Sequence, residues 1–226
     1  MKKNIIFLLL IFTISCDKIS ESKIEVNAVQ QVLNFYNGKC LKSKGIDFKN
    51  NIKKKYYELA MSNSPLLEND SKYINFHSGN IAYLFYTNLK EEKLNYDNIK
   101  VKITLNNGGY QDLMYSNKEL LDVESYIPKI SEITKQILAK DYDKLFSQFD
   151  KSAEVNKEKV AGLFKNLVNK YGEFKQCQLQ GFVNIVTDQG EKVITFKEVV
   201  VLDKINGDMF LTFNKESRKL VYISFP

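Results

Sequence analysis

The chain changes its hydrophobic period once in its second half, and that change limits the folds open to it. After Asn156, the residues Val160, Leu163, Phe164, Leu167, Val168 and Tyr171 recur at the i, i+3, i+4, i+7 spacing of a single helix face, and Gly172 supplies a stop. Beyond Gly172 the chain breaks into four strand-like segments: residues 174–186, 193–202, 209–213 and 220–225. The stretch from Asp188 to Gly190 and the pair Asn206 and Gly207 are the turn signals between them. Strands joined by short turns pair antiparallel, and a sheet that is apolar on one face must bury it against the helices. The expected class is therefore α+β, with helices first and a meander after them.

The rest of the chain reads in the same terms. Pro128 stands where a helix can begin, and Ile130, Ile133 and Ile137 follow along one side. Asp141 is placed to cap a further turn that carries Tyr142, Leu145, Phe146 and Phe149. Nearer the start, Val26, Val29, Val32, Leu33 and Tyr36 mark a helix that stops at Asn37 and Gly38. Between residues 46 and 63 two periods compete. Phe48, Ile52, Tyr56 and Leu59 fit a helix, whereas Tyr57, Leu59 and Met61 alternate, and the strand is preferred. Ser78, Gly79 and Asn80 read as a cap before a short helix carrying Ile81, Leu84, Phe85 and Leu89, and residues 99–105, 106–109 and 110–115 read as strand, turn and strand. Two small α+β units are expected, spanning residues 25–123 and 124–226.

The first residues carry a different signal. Lys2 and Lys3 precede an apolar run from Ile5 to Phe12, and no acidic residue occurs before Asp17. A membrane-spanning helix needs roughly 20 apolar residues, so this run is short for one. Thr13, Ile14, Ser15 and Cys16 resemble the lipobox of bacterial lipoproteins, in which a small residue precedes the acylated cysteine. The resemblance implies a signal peptide over residues 1–15, lipidation of Cys16 with palmitate-type chains, and a polar lipidated tether over residues 16–24. Two or more acyl chains anchor a protein stably, at about 0.8 kcal/mol per buried methylene. The expected location is a bacterial cell envelope, periplasmic or surface-facing, with the membrane as partner through lipid.

Composition narrows the function classes. With 44% apolar and 12% aromatic residues, the chain has the material for real cores. Without Lys2 and Lys3, 31 Lys and Arg face 27 Asp and Glu, a balance too mild for a nucleic-acid partner. Arg218 is the only arginine, so bidentate forks for phosphate are almost absent. Cys40 and Cys177 could pair in an oxidising compartment or remain two separate buried thiols. His77 is the only histidine, and a surface or turn role is expected for it.

One His and two distant Cys match no zinc spacing, and the carboxylates form no calcium loop. Gly108 and Gly109 lie inside a hairpin, not between a strand and a helix as a phosphate loop would, and Ser64 lacks a nucleophile-elbow context. Lys53, Lys54 and Lys55 form the densest cationic run. It could face anionic headgroups, with a solvated loop or strand end as the plainer role. Tyr83, Phe85, Tyr86, Phe164 and Phe174 are read as core.

Residues 138–149, the helix end from Tyr171 to Phe174, and the closing segments 211–213 and 220–226 resemble uncharacterised exported domains of the nuclear transport factor 2-like superfamily. The resemblance covers roughly the last hundred residues. It implies a cone-like domain, a curled sheet wrapped round a long helix with an apolar mouth. Some members of that superfamily are isomerases or dehydratases that use an Asp and a Tyr, which would single out Asp141 and Asp143; helix-start positions beside Lys140 and Lys144 make solvated caps the preferred reading. Many members bind or dimerise without catalysis, and fold alone does not choose between them. The expectation is a non-catalytic interaction or assembly module with an envelope protein or a second copy as partner, and with no catalytic, cofactor or metal site. The alternatives are a small-molecule binding domain using the cone interior, and an isomerase- or hydrolase-type enzyme.

Overall fold

The computed structural model describes residues 21–49 and 51–226. Helix α1 (Lys23–Tyr36) begins with a reciprocal cap. The Glu25 amide donates to Ser22 Oγ at 3.0 Å, and the Ser22 amide donates to the Glu25 carboxylate at 2.8 Å. The helix ends at Asn37 and Gly38, both with positive φ, as the sequence leads one to expect.

The chain then forms a long antiparallel hairpin, β1 (Lys39–Lys49) and β2 (Ile52–Ser62). The strand period prevails there because Tyr57, Leu59 and Met61 all point into the core. Next come the short helix α2 (Pro65–Asn69), α3 (Ile74–Asn88), and strands β3 (Asn98–Thr104) and β4 (Tyr110–Ser116). β2 and β3 run parallel, with α3 in the crossover between them, and the sheet order is β1-β2-β3-β4. Ile99, Val101 and Ile103 join the buried face. The opposite face carries Glu58, Lys100, Lys102 and Asp112, linked by ion pairs of 2.9–3.4 Å. Alternation of this kind lets one side of a sheet face water.

Ser78, Gly79 and Asn80 do not cap a helix. They lie inside α3, and all three are buried. A Cβ on Gly79 would stand 2.4 Å from the Phe182 carbonyl oxygen, and one on Gly181 would stand 1.9 Å from that of Phe76. The small residues are there because α3 meets the second sheet backbone against backbone. A local cap signature and a close-approach signature use the same residue types.

The second half contains α4 (Asn117–Glu124), α5 (Ile127–Leu138), α6 (Tyr142–Ser147) and α7 (Lys157–Tyr171), then strands β5 (Phe174–Val186), β6 (Lys192–Leu202), β7 (Asn206–Asn214) and β8 (Leu220–Ser224). The strands pair in sequence order as an antiparallel meander, and the protein is α+β, with two separate four-stranded sheets among the described residues. Asp141 caps α6 and Asn156 caps α7, which stops at Gly172. One turn assignment fails: Asn206 and Gly207 sit within β7, paired with Val201 and Val200, and the reversal occurs at residues 203–205. Register shifts in β5 near Phe174 and Leu179 bend that strand.

Residue 123 lies within α4, and its side chain joins a single cluster of buried residues running from Ala28 to Ile223. Strand β6 is buried on both faces. Ile194, Phe196, Glu198 and Val200 point one way, Val193, Thr195 and Lys197 the other. On the first side the rings of Tyr126, Phe182, Phe196 and Phe213 pack with centroids 5.4–6.2 Å apart. Among the described residues, no helix is long and apolar enough to cross a membrane.

Candidate functional site

Among the described residues, the chemistry-bearing side chains include three buried groups, centred on His77, Glu198 and Glu25, and one exposed element. The first cluster overturns the surface role expected for His77, which has no exposed surface. Its Nε2 lies 2.9 Å from Asp70 Oδ2, and its Nδ1 lies 3.3 Å from Tyr36 Oη, which also accepts a hydrogen bond from Asn80 Nδ2 at 2.9 Å. A carboxylate only accepts, so Nε2 carries the proton and Nδ1 accepts from the Tyr36 hydroxyl. Asp70 also receives Lys197 Nζ at 2.9 Å, and Lys197 reaches Asp208 at 2.9 Å. Lys72 completes the balance, 3.8 Å from Asp208. Burial pushes the His77 pKa below its ordinary value; Asp70 pulls it back up, and nearby Lys197 opposes that pull. With His77 neutral, two lysines offset two aspartates. The cluster ties α3 and the Asp70 turn to the second sheet.

The second cluster is Glu198, only 3% exposed, on the opposite face of β6. Thr134 Oγ on α5 donates to its carboxylate at 3.2 Å. Burial raises the Glu198 pKa to about 7, against which the Thr134 hydrogen bond is a smaller, lowering influence. A buried carboxyl titrating near neutrality is what general acid–base chemistry requires. Here, however, it belongs to the face that Phe196 and its neighbouring rings fill.

The remaining sequence candidates are dispersed. Cys16 lies outside the described residues. Cys40 on β1 and Cys177 on β5 are free thiols, and burial pushes their pKa values up to about 11 and about 12. Both stay protonated at neutral pH and are poor nucleophiles. Asp141 is occupied as a cap and pairs with Lys144 at 2.8 Å; Asp143, largely exposed, pairs with Lys157 at 2.6 Å. Ser64 Oγ donates to the Tyr36 carbonyl at 2.6 Å, and Gly108 sits in the β3–β4 turn with positive φ. Phe85, Tyr86 and Phe164 are core, with Tyr83 and Phe174 packed against it. Among the described residues, no three His, Cys, Asp or Glu side chains converge to hold a metal ion.

The exposed element is the far end of the first hairpin. β1 and β2 stay paired out to Lys49 and Ile52, whereas β3 begins to pair with β2 only at Tyr56. Residues 46–49 and 52–55 therefore form a two-stranded arm that extends past its sheet. Ile46, Phe48 and Ile52 on this arm are 47%, 71% and 58% exposed, and Lys53, Lys54 and Lys55 are exposed beside them. Register puts Ile46 opposite Lys55 and Phe48 opposite Lys53, so these four share a face.

At the root of that face is a cavity of about 510 Å³, lined by Ser22, Glu25, Lys44, Ile46, Lys55 and Tyr96 among others. Glu25 is 2% exposed and accepts from Lys44 Nζ at 2.7 Å, from the Ser22 amide at 2.8 Å and from the Tyr96 hydroxyl. Burial, reinforced by Glu25, drives the Tyr96 phenol pKa far up. Both carboxylate oxygens are thus engaged by partners within the protein.

No family model matches this chain, and no curated protein matches it.

His77, Asp70 and Lys197 escape a reading by spacing because they lie on three separate elements. A signal was nonetheless present. Lys197 and Glu198 are adjacent charges inside the run 193–202, which is apolar apart from them and Thr195, and adjacent strand residues face opposite sides. Two buried charges on two buried faces require a partner on each side.

Proposed function

We propose that this protein is a lipoprotein held at a bacterial envelope membrane by acylated Cys16, and that its folded body is a non-catalytic interaction module. The observation that carries the second part is the arm. Two large apolar side chains, Ile46 and Phe48, stand exposed on one face of a protruding ribbon beside Lys53 and Lys55, and Ile52 is exposed on the other face with Lys54. Exposed apolar surface gathered in one place marks a contact site more often than a monomer's ordinary surface. The ionisable clusters support the same reading, because the His77 and Glu25 groups are each taken up by partners inside the protein. The filled face around Phe196 argues against a ligand in the interior of the second sheet. A second reading, small-molecule binding, is favoured by the cavity at the arm's root.

Two measurements test the proposal. Intact mass of membrane-extracted protein should match a chain starting at Cys16 plus acyl groups. Photo-crosslinkers placed in cells at Phe48 should form adducts with another envelope component, and crosslinkers at Tyr222, exposed on β8, should not. A mass without acyl groups removes the anchor, and equal yields at Phe48 and Tyr222 remove the interaction surface.

A further inference from the structure

The arm's contact can be assigned a chemistry. We propose that the face made by Ile46, Phe48, Lys53 and Lys55 lies on the anionic headgroup surface of the same bilayer that holds the lipid anchor. The inference rests on the proposed acylation of Cys16 and adds a second, sequence-distant point of membrane contact.

Three observations carry it. The first is the chemistry of the face. Register places an aliphatic and an aromatic side chain beside two lysines, and the arm's own carboxylate, Asp47, points to the opposite face with its partner Lys54. Asp97, at the root, is occupied by the Lys55 backbone amide at 2.7 Å. An aromatic or aliphatic group that enters the headgroup layer between cations matches an anionic interface, where each nearby lysine strengthens binding by about fivefold.

The second observation is where the anchor must lie. Glu21 is ion-paired to Lys42 and hydrogen-bonded to Tyr57, both on the first hairpin, and Ser22 lines the same cavity as Ile46 and Lys55. From Cys16 to Glu21 is five residues, which span at most about 17 Å when fully extended. Acyl chains on Cys16 would therefore attach within that distance of Glu21, on the side of the hairpin where Lys42 and Tyr57 hold it.

The third is reach. Phe48 stands two residues beyond Ile46, about 7 Å further along the strand, and the paired ribbon continues to Lys49 and Ile52. An anchor tethered this closely brings the headgroup plane within range of the exposed face. Two contacts fix the orientation of the body on the membrane, which a flexible lipid tether alone does not. The outer face of the first sheet, with its Glu58, Lys100, Lys102 and Asp112 network, is left for water.

The chain contains no tryptophan, so Phe48→Trp introduces a single tryptophan, excited selectively beyond the tyrosine absorption band, at a site 71% exposed where folding is not at stake. The acylated full-length protein carrying this change is reconstituted into vesicles of phosphatidylcholine alone or mixed with phosphatidylglycerol. With the anionic vesicles, emission should shift to the blue and be quenched by lipids brominated high in the acyl chain. The shift should shrink severalfold in phosphatidylcholine and when Lys53→Gln and Lys55→Gln are added. A Tyr222→Trp control should keep a water-like spectrum throughout. Protein shown by intact mass to be acylated, yet with water-like emission from the F48W fluorophore in anionic vesicles, would overturn this inference and leave the anchor standing. A mass without acyl chains overturns both. Emission that shifts in native envelope membranes but not in pure lipid assigns the face to a protein instead, and also overturns it.

Discussion

Glu198→Gln should make the protein more stable at alkaline pH and leave it nearly unchanged in acid. In the fold the Glu198 carboxyl titrates near pH 7, against an ordinary value of 4.5, because it is buried on the Phe196 face of β6 and, among the described residues, Thr134 alone donates to it. A folded pKa raised above the unfolded one means that the native state holds the proton more tightly. The stability this contributes is complete below pH 4.5 and is lost as pH rises through 7. The distance between those two values corresponds to about 3 kcal/mol. Glutamine keeps the volume, accepts the same Thr134 hydrogen bond and carries no charge, so the variant does not incur that loss. Urea unfolding followed by circular dichroism at pH 4.5 and pH 8 measures the difference between the two proteins, in which the contribution of His77 cancels. The difference should grow from near zero to about 2–3 kcal/mol in favour of the variant, with unchanged m-values. An equal difference at both pH values would show that Glu198 is not held as a neutral acid, and the burial argument would be wrong.

Because His77 is the only histidine, its ring protons can be followed alone by NMR. Its midpoint should lie below 6.5, and Lys197→Met should move it up by removing the cation that opposes protonation. For this group the folded pKa is depressed, so its contribution to stability is complete above pH 6.5 and declines as pH falls from there towards the folded value; denaturant midpoints of wild type and His77→Gln measured across that range check the sign. Gly79→Ala should destabilise the protein by about 1–3 kcal/mol in thermal or urea unfolding, since its methyl group would meet the Phe182 carbonyl where both backbones are fixed. Phe48→Ser together with Ile52→Ser should change stability by no more than about 0.5 kcal/mol per site, because these side chains contribute surface and little core; a large loss would mean that the arm packs against the body.

Local patterns carried much of the architecture. The helix from Lys157 and the strands after Gly172 are where hydrophobic periodicity puts them, because the face each buries is continuous along the chain. Caps at Asp141 and Asn156 are equally local, one side chain reaching an amide three residues on. The errors also share a cause. Ser78, Gly79 and Asn80 have the composition of a helix start, yet their size is set by β5, a hundred residues away. Asn206 and Gly207 have the composition of a turn, yet β6 takes them into its ladder. His77 lies in a polar stretch and is buried because the second sheet closes over it.

What the amino-acid order determined by itself is the list of elements and their buried faces, since period, capping and turn chemistry act over a few residues. Which of those elements meet was decided only in three dimensions. There α3 reached the second sheet, Lys197 and Glu198 acquired opposite environments, and the far end of the first hairpin outran its sheet to become an arm. Burial and desolvation are properties of position in the packed molecule, so the same residue type is a solvated charge in one place and a held proton in another.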